Sequence, residues 1–259
     1  MKNLIIAASL TVAFSTTAFA AGPFTPAATF TPEITTIPGR AIDIIGVTPG
    51  MTPDEAKLAL SQTYEADRLH VSEFGYRMGK DNVWVETTPF ANEIRFDDMF
   101  DDLSDRFSAK FTGPAGANRV ATVERRVRFP QSGGPTEATL HAALLEKYGE
   151  PSYFQEGRFY IWQFKDGALV PCTNRSDASC SRPVASYDYI RDQKPAEMDY
   201  VIMADIEEGG YWQSNPRWMT TSLSDMRLIN GAAVADFTAL KDEWDRVNAV
   251  TAPIAAPKL

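Results

Sequence analysis

The stretch Pro135–Phe164 constrains the fold of this chain most, because its hydrophobic period changes from helical to extended within one segment. Pro135 suits the first position of a helix, and Gly149 suits the left-handed residue that ends one. Between them, large apolar residues recur at every fourth position, which predicts an amphipathic helix: Leu140, Leu144 and Tyr148.

The same stretch then continues into a strand that is apolar on both faces. Alternate residues would line the two faces, with Tyr160, Trp162 and Phe164 on one and Phe159 and Ile161 on the other. Apolar residues on both faces are typical of a central strand that is covered on each side. Asp166-Gly167 follows and predicts a tight turn.

A capping box predicts a second helix earlier in the chain. Thr52 and Glu55 have the spacing of the box, and Pro53 suits the first helical position. The segment Pro53-x-Glu55-Ala56-x-Leu58 matches Pro135-x-Glu137-Ala138-x-Leu140 at an offset of 82 residues. The match predicts two similar units packed side by side.

The remaining segments predict strands and one further helix. Phe107–Phe111 and Met198–Glu207 alternate apolar and polar residues, as antiparallel strands with one wet face do. Ala41–Val47 could add an edge strand, Trp218–Leu228 another strand, and Ala232–Val247 a last helix beyond the punctuating Asn230-Gly231. The fold class we predict is α+β, an antiparallel sheet with helices on one face. The first helix-on-sheet unit occupies 41–130, and the second, with a disulfide loop, occupies 131–250.

The first twenty residues have the pattern of an export signal. Lys2 supplies the positive start, Leu4–Phe14 the short apolar run, and Ala18-Phe19-Ala20 the small-x-small cleavage site. Cleavage after Ala20 would leave a periplasmic or secreted chain. No lipid anchor is predicted because no cysteine follows the cleavage site, and the apolar run is too short to span a bilayer. Residues 21–40 predict a disordered lead-in, and 251–259 a frayed tail.

The charge of the chain disfavours a nucleic-acid partner. The formal net charge is −9, and removing the signal, which carries Lys2 and no acid, makes it about −10. A strongly acidic chain lacks the positive charge that attracts phosphates.

The two cysteines, Cys172 and Cys180, predict a disulfide in an oxidising compartment. A redox pair is more often spaced C-x-x-C, and a zinc site needs four ligands. We therefore predict no cofactor and no metal from these residues.

Two short motifs resemble a known family. Gly50-Met51-Thr52-x-x-Glu55 before a helix resembles the start of the SmpA/OmlA envelope-protein repeat, and Leu145-x-x-Tyr148-Gly149-x-Pro151 before a strand resembles the end of its helix. The same unit in tandem is the architecture of the beta-lactamase inhibitor protein. The resemblance implies helices on one face of an antiparallel sheet and protein binding rather than catalysis.

An acidic run is the sharpest charged feature of the sequence. Its five aspartates could supply oxygen ligands to a cation, although the loop glycine and terminal glutamate of an EF-hand are missing. Phe96, Phe100, Leu103 and Phe107 fit one face of a helix, so we favour an acidic helix or turn. The weak candidate ligands are Asp97, Asp98, Asp101, Asp102 and Asp105.

Two groups of residues are candidates for binding a protein partner. Alternation along the predicted strand Val120–Phe129 puts Arg126 and Arg128 on one face. These two arginines could pair with an acidic partner or form an ordinary solvent-exposed face of the sheet. A second candidate is the aromatic group Tyr211, Trp212 and Trp218, because tryptophan and tyrosine anchor many interfaces.

No catalytic signature is present in the sequence. G-x-S-x-G and S-x-x-K are absent, and the two histidines, His70 and His141, have no metal-ligand spacing. We predict an exported, non-catalytic protein that binds another envelope or exported protein. Two alternatives stay open at this point. One is an envelope hydrolase with a site assembled around a histidine, and the other is a periplasmic small-ligand or cation-binding protein.

Overall fold

The computed structural model describes residues 22–30, 37, 42–80, 83–98, 104–130, 132–155, 158–173, 180–181, 198–208 and 217–251. The predicted export signal, residues 252–259 of the predicted tail, and two aromatic candidates, Tyr211 and Trp212, lie outside the described residues. So do two of the candidate aspartates, Asp101 and Asp102.

The described residues form an α+β fold, as predicted. The helices are α1 (Pro53–Leu60), α2 (Glu137–Tyr148) and α3 (Met226–Thr251). The strands are β1 (His70–Phe74), β2 (Arg77–Lys80), β3 (Val83–Glu86), β4 (Phe90–Asp98), β5 (Ser104–Phe111), β6 (Val120–Phe129), β7 (Tyr153–Gln155), β8 (Phe159–Lys165), β9 (Ala168–Leu169), β10 (Tyr200–Glu208) and β11 (Arg217–Asp225).

One antiparallel sheet runs through the described part of the chain. Its strand order is β1-β4-β5-β6-β11-β10-β8-β7, with the short β9 paired to β8. The hairpin β2–β3 pairs separately. Of the predicted acidic helix or turn, the helix is corrected at both described ends, because Phe96 on β4 and Phe107 on β5 are cross-strand partners.

The sheet divides into two halves with the same order of elements. In the first half α1 precedes β1, β4, β5 and β6, and in the second half α2 precedes β7, β8, β10 and β11. Each half runs from an outer strand towards the middle, where β6 pairs with β11. The boundary predicted at residue 130 falls between β6 and α2. That the halves arose by duplication stays a prediction.

Helices α1 and α2 pack on the same face of the sheet, which we call the helix face. Leu60 of α1 and Leu144 of α2 are buried in the main core. That core also contains alternate residues of the strands, such as Ile94, Val123 and Trp162. A two-residue period along each strand therefore sends one set of side chains to the helices and the other to the opposite, outer face.

The capping box of α1 is confirmed. Thr52 Oγ1 accepts the N–H of Glu55 at 3.2 Å, and the N–H of Thr52 donates to Glu55 Oε2 at 2.8 Å. The cap of α2 is Thr136, so Pro135 precedes this helix instead of occupying its first position. Gly149 ends α2 with a positive φ of 73°.

The two caps correct the predicted alignment of the helices. Thr52 and Thr136 are 84 residues apart, not 82. At the predicted offset, Leu58, which is 67% exposed, would match the buried Leu140. At the observed offset, the buried positions coincide: Ala56 with Leu140, Leu60 with Leu144, and Tyr64, just beyond the end of α1, with Tyr148.

The last helix is longer than predicted and begins as β11 ends. The N–H of Leu228 donates to Asp225 Oδ1 at 2.9 Å, so Asp225 satisfies the start of α3. Gly231, predicted to interrupt the chain, lies inside the helix. The ring of Phe30 packs where a Cβ would be, so this helical position requires glycine. Helix α3 does not lie on the helix face. It packs on the hairpin β2–β3 and on a 3₁₀ turn, Pro114–Gly116.

The lead-in prediction is corrected for residues 22–30. The N–H groups of Thr29 and Phe30 donate to the carbonyl of Ala115 at 3.0 and 3.1 Å, and Phe24 bridges to Thr87. These contacts hold the segment against the body of the protein. The edge strand predicted at Ala41–Val47 is also wrong, because described residues 44–47 form a tight turn closed by the bridge between Ile44 and Val47.

In the second half, part of the outer face is covered. Phe159, Ile161 and Val201 are buried there beneath the bonded pair Cys172 and Cys180. The disulfide is therefore confirmed, and it packs on the strand that the sequence predicted to be covered on both sides. None of the described helices is long and apolar enough to cross a membrane.

Candidate functional site

The outer face of the first half carries a polar surface that extends onto β11 and β10. We call it the open face. It is built by the residues of β4, β5 and β6 that alternate with core residues, and by their neighbours in the next strands. Its members include Glu93, Arg95, Asp97, Arg106, Ser108, Lys110, Glu124, Arg126, Arg128, Asp205, Glu207, Trp218 and Thr220.

Trp218 contacts two arginines of the open face. It lies directly opposite Arg128 across the β6–β11 pair. The guanidinium carbons of Arg126 and Arg128 lie 4.6 and 5.7 Å from the centroid of its ring. Both distances are within cation–π range. Three of the predicted partner-binding residues therefore come together on one surface.

Charges of both signs surround these residues. Arg126 lies 3.4 Å from Glu207, and Asp97 lies 3.7 Å from Arg95 and 3.6 Å from Arg106. Arg106 and Arg126 are direct cross-strand partners. Like charges placed opposite each other repel, and Asp97 and Glu207 each lie beside one of these arginines, so the open face carries charges of both signs.

A shallow polar depression of about 540 Å³ adjoins the arginines. Its walls contain Glu93, Asp97 and Glu124 together with Arg95, Arg106 and Lys110. Acids and bases alternate along these walls, so the depression offers polar contacts to a partner and does not form an apolar pocket.

The three described aspartates of the acidic run lie on two faces of the sheet. Asp97 lies on the open face, whereas Asp98 and Asp105 lie on the helix face, 3.2 Å from Arg68 and 2.7 Å from Arg125. Because arginines hold each of them, they do not form a common ligand set. Across the described ranges, no three histidine, cysteine, aspartate or glutamate side chains form a group that could hold a metal ion.

One half-buried network was missed by the sequence analysis. Arg125 donates from Nε and Nη2 to the two carboxylate oxygens of Asp105 at 3.0 and 2.7 Å, and the hydroxyl of Tyr64 donates to Oδ2 at 3.0 Å. Burial raises the pKa of the Tyr64 hydroxyl well above its usual value, so the phenol stays protonated. The strand period that put Arg126 outside also puts Arg125 inside, and this signal could have found the network.

The two histidines lie in unrelated places. His70 is exposed on the edge strand β1. His141 is half-buried on α2, with Nδ1 2.9 Å from the hydroxyl of Tyr160 and its ring 5.2 Å from that of Phe154. Among the described contacts, neither histidine is bonded to a carboxylate, so the geometry gives the hydrolase alternative no support.

No protein-family model, no curated protein and no solved structure matches this chain. The resemblance to the SmpA/OmlA repeat therefore stays a prediction based on the two short motifs and is not carried further.

Proposed function

We propose that this chain is an exported, periplasmic or secreted protein without catalytic activity, which binds another envelope or exported protein through the open face. The disulfide between Cys172 and Cys180 supports export, because such bonds persist in oxidising compartments. The predicted signal at residues 1–20 supports the same destination.

The observation that carries the proposal is the contact of Trp218 with both Arg126 and Arg128, three partly exposed residues on one face of the sheet. Tryptophan and arginine are the residue types most enriched among those that dominate the energy of protein interfaces. Stacking holds the three side chains in place before binding, which lowers the entropy that a partner must overcome.

The charge of the open face indicates the chemistry of the partner. Arg126 and Arg128 lie against the ring of Trp218, and Arg106 faces Arg126 across the next strand pair, while the chain as a whole has a formal net charge of −9. An acidic loop or strand of the partner would relieve the repulsion between facing arginines and would be steered to this spot.

Site-specific photo-crosslinking in cells that export the full chain tests the proposal. A photoreactive residue replaces Thr220, which lies on the open face beside Arg126, and in a matched variant it replaces the exposed Thr238 of α3. We expect a discrete protein adduct from position 220, none from position 238, and loss of the adduct when Trp218→Ala is added.

Equal adducts at both positions, or an adduct that survives Trp218→Ala in a chain that still unfolds cooperatively, would contradict the proposal.

The alternative of a small-ligand protein has one specific observation in its favour, a cavity on the helix face.

A further inference from the structure

A cavity of about 190 Å³ opens on the helix face where the two halves meet. It lies between the turn at residues 44–47, helix α2 and the central strands β6 and β11. Most of its wall is apolar, being formed by Ile44, Ile45, Val127, Leu140, Ala143, Leu144 and Met219. A cavity of roughly 150 Å³ with such a lining is large enough for a benzene-sized molecule.

The charged groups in the wall of this cavity are all cationic. Arg125 and Lys147 line it, whereas none of the described residues lining it is acidic. Their carboxylate partners stand outside the wall: Asp105 holds Arg125 at 2.7 Å, and Asp43 holds Lys147 at 3.1 Å. The cations are thus positioned by salt bridges whose acids do not occupy the cavity.

The mouth of the cavity is formed by a strained turn. Ile45 has a φ of 47° and Gly46 a φ of 82°. A β-branched residue with positive φ is a steric outlier that persists only where its surroundings hold it. Asp43 holds the turn in this conformation, because its Oδ1 accepts a hydrogen bond from the N–H of Gly46 at 2.8 Å and its carbonyl accepts one from the hydroxyl of Tyr148 at 3.0 Å.

From these observations we propose that the cavity binds a small monocarboxylic acid with an apolar body of about six to eight carbons. The hydrocarbon occupies the apolar wall, and the carboxylate lies against Arg125 and Lys147. The cations favour an anionic head, since a hydrogen bond to a charged group contributes more than one between neutral groups. This site is on the opposite side of the sheet from the open face and does not depend on it.

The head group and the body can be tested separately with the full exported chain. Hexanoate, hexanol and hexylamine share one hydrocarbon body and differ in charge. Binding is followed by the chemical shifts of the backbone amides, and hexanoate should cause saturable shifts at residues 44–47 and in α2. The affinities of hexanol and hexylamine should be lower than that of hexanoate by roughly tenfold or more. Each methylene added from butanoate to hexanoate should tighten binding about fourfold.

Two neighbouring alanines of α2 provide a matched pair of variants. Both are exposed, but only Ala143 lines the cavity. Ala143→Trp should abolish hexanoate binding, and Ala142→Trp should leave it unchanged. Ile45→Asn provides a further test that keeps the fold, because asparagine tolerates a positive φ while losing the apolar wall. It should weaken hexanoate binding several-fold.

Equal affinity for hexanoate, hexanol and hexylamine would overturn the assignment of an acid. Binding of hexanoate that survives Ala143→Trp, or no saturable shift at residues 44–47 with the unsubstituted chain, would overturn the site itself. Neither result would bear on partner binding at the open face, which is measured by the adduct at position 220.

Discussion

The two halves of the sheet share an order of elements but differ on the outer face. In the first half, β5 alternates between buried and partly exposed residues, and its outer side chains are Arg106, Ser108 and Lys110. In the second half, β8 is buried from Phe159 to Phe164. The comparison shows that the residue pattern of a strand decides its surroundings. Where both faces are apolar, the chain supplies a cover, and where one is charged, that face is left to solvent or to a partner.

The largest expected effect comes from shortening two side chains that lie in one cross-strand row of the outer face, one in each half. The row contains Ser108 on β5 and Ile161 on β8. Ile161→Ala should lower the free energy of unfolding by about 2 to 5 kcal/mol, because it leaves a cavity under the disulfide segment. Ser108→Ala should change it by less than about 0.5 kcal/mol.

Denaturant unfolding of both variants provides the measurement, with an unchanged slope as the sign that the unfolded states are comparable. Similar losses from the two substitutions would show that the outer face of the first half is also a packed surface. That result would remove the open face as a binding site.

Much of this difference could be predicted from the sequence, since alternation is a local property. The covered strand at Phe159–Phe164 and the outer position of Arg126 follow from a period of two, and the turn at Asp166-Gly167 follows from its two residue types. What could not be predicted is which strand lies beside β6. Trp218 meets Arg128 only because two strands about ninety residues apart in sequence pair in one register.

Helix α3 has no counterpart in the first half, and its contacts provide the second prediction. Helix α3 follows the last strand of the second half but packs on the turn Pro114–Gly116 of the first. Its Asp236 is buried, and Oδ1 accepts the N–H of Ala115 at 2.8 Å. Burial raises the pKa of this carboxyl to about 6, against the opposing effect of the backbone amides of the turn.

A raised folded-state pKa means that the folded chain binds the proton more tightly than the unfolded chain does. The contribution of Asp236 to stability is therefore greatest below about pH 4 and falls as the pH rises towards about 6. Relative to Asp236→Asn, the unsubstituted chain should lose on the order of 2 kcal/mol across that window.

Unfolding measured at pH 4 and pH 6.5 checks this difference, with Asp242→Asn on the exposed side of α3 as the control. The control should follow the unsubstituted chain at both pH values. If Asp236→Asn also follows it, the buried carboxyl does not titrate between the two pH values, and the expected pH dependence is wrong.

Two errors of the sequence analysis depend on contacts distant in sequence, and a third came from matching residue identities instead of buried positions. Gly231 interrupts a helix in isolation, but here it gives the ring of Phe30 room to pack. The offset of 82 residues matched identical letters, whereas the buried faces match at 84. Arg125 was overlooked because its partners, Tyr64 and Asp105, come from other parts of the first half.

The smallest expected effect compares the starts of α1 and α2. Thr52 has a reciprocal partner in Glu55, whereas Thr136 receives the N–H of Thr139 and no such return bond is described. Thr52→Ala should cost about 1 kcal/mol of unfolding free energy, and Thr136→Ala about half as much. Thermal unfolding of the two variants, with Thr52→Ser as a control that keeps the hydroxyl, gives the measurement.

The reason for the expected order lies in how each helix is held. Helix α1 has eight residues and buries Ala56 and Leu60, while α2 has twelve and buries Leu140, Leu144 and Tyr148. A short helix with little buried surface depends more on its cap, since most helix stability comes from packing of the apolar face. A larger loss from Thr136→Ala would show that α2, whose residues line the cavity between the halves, is the less securely packed of the two.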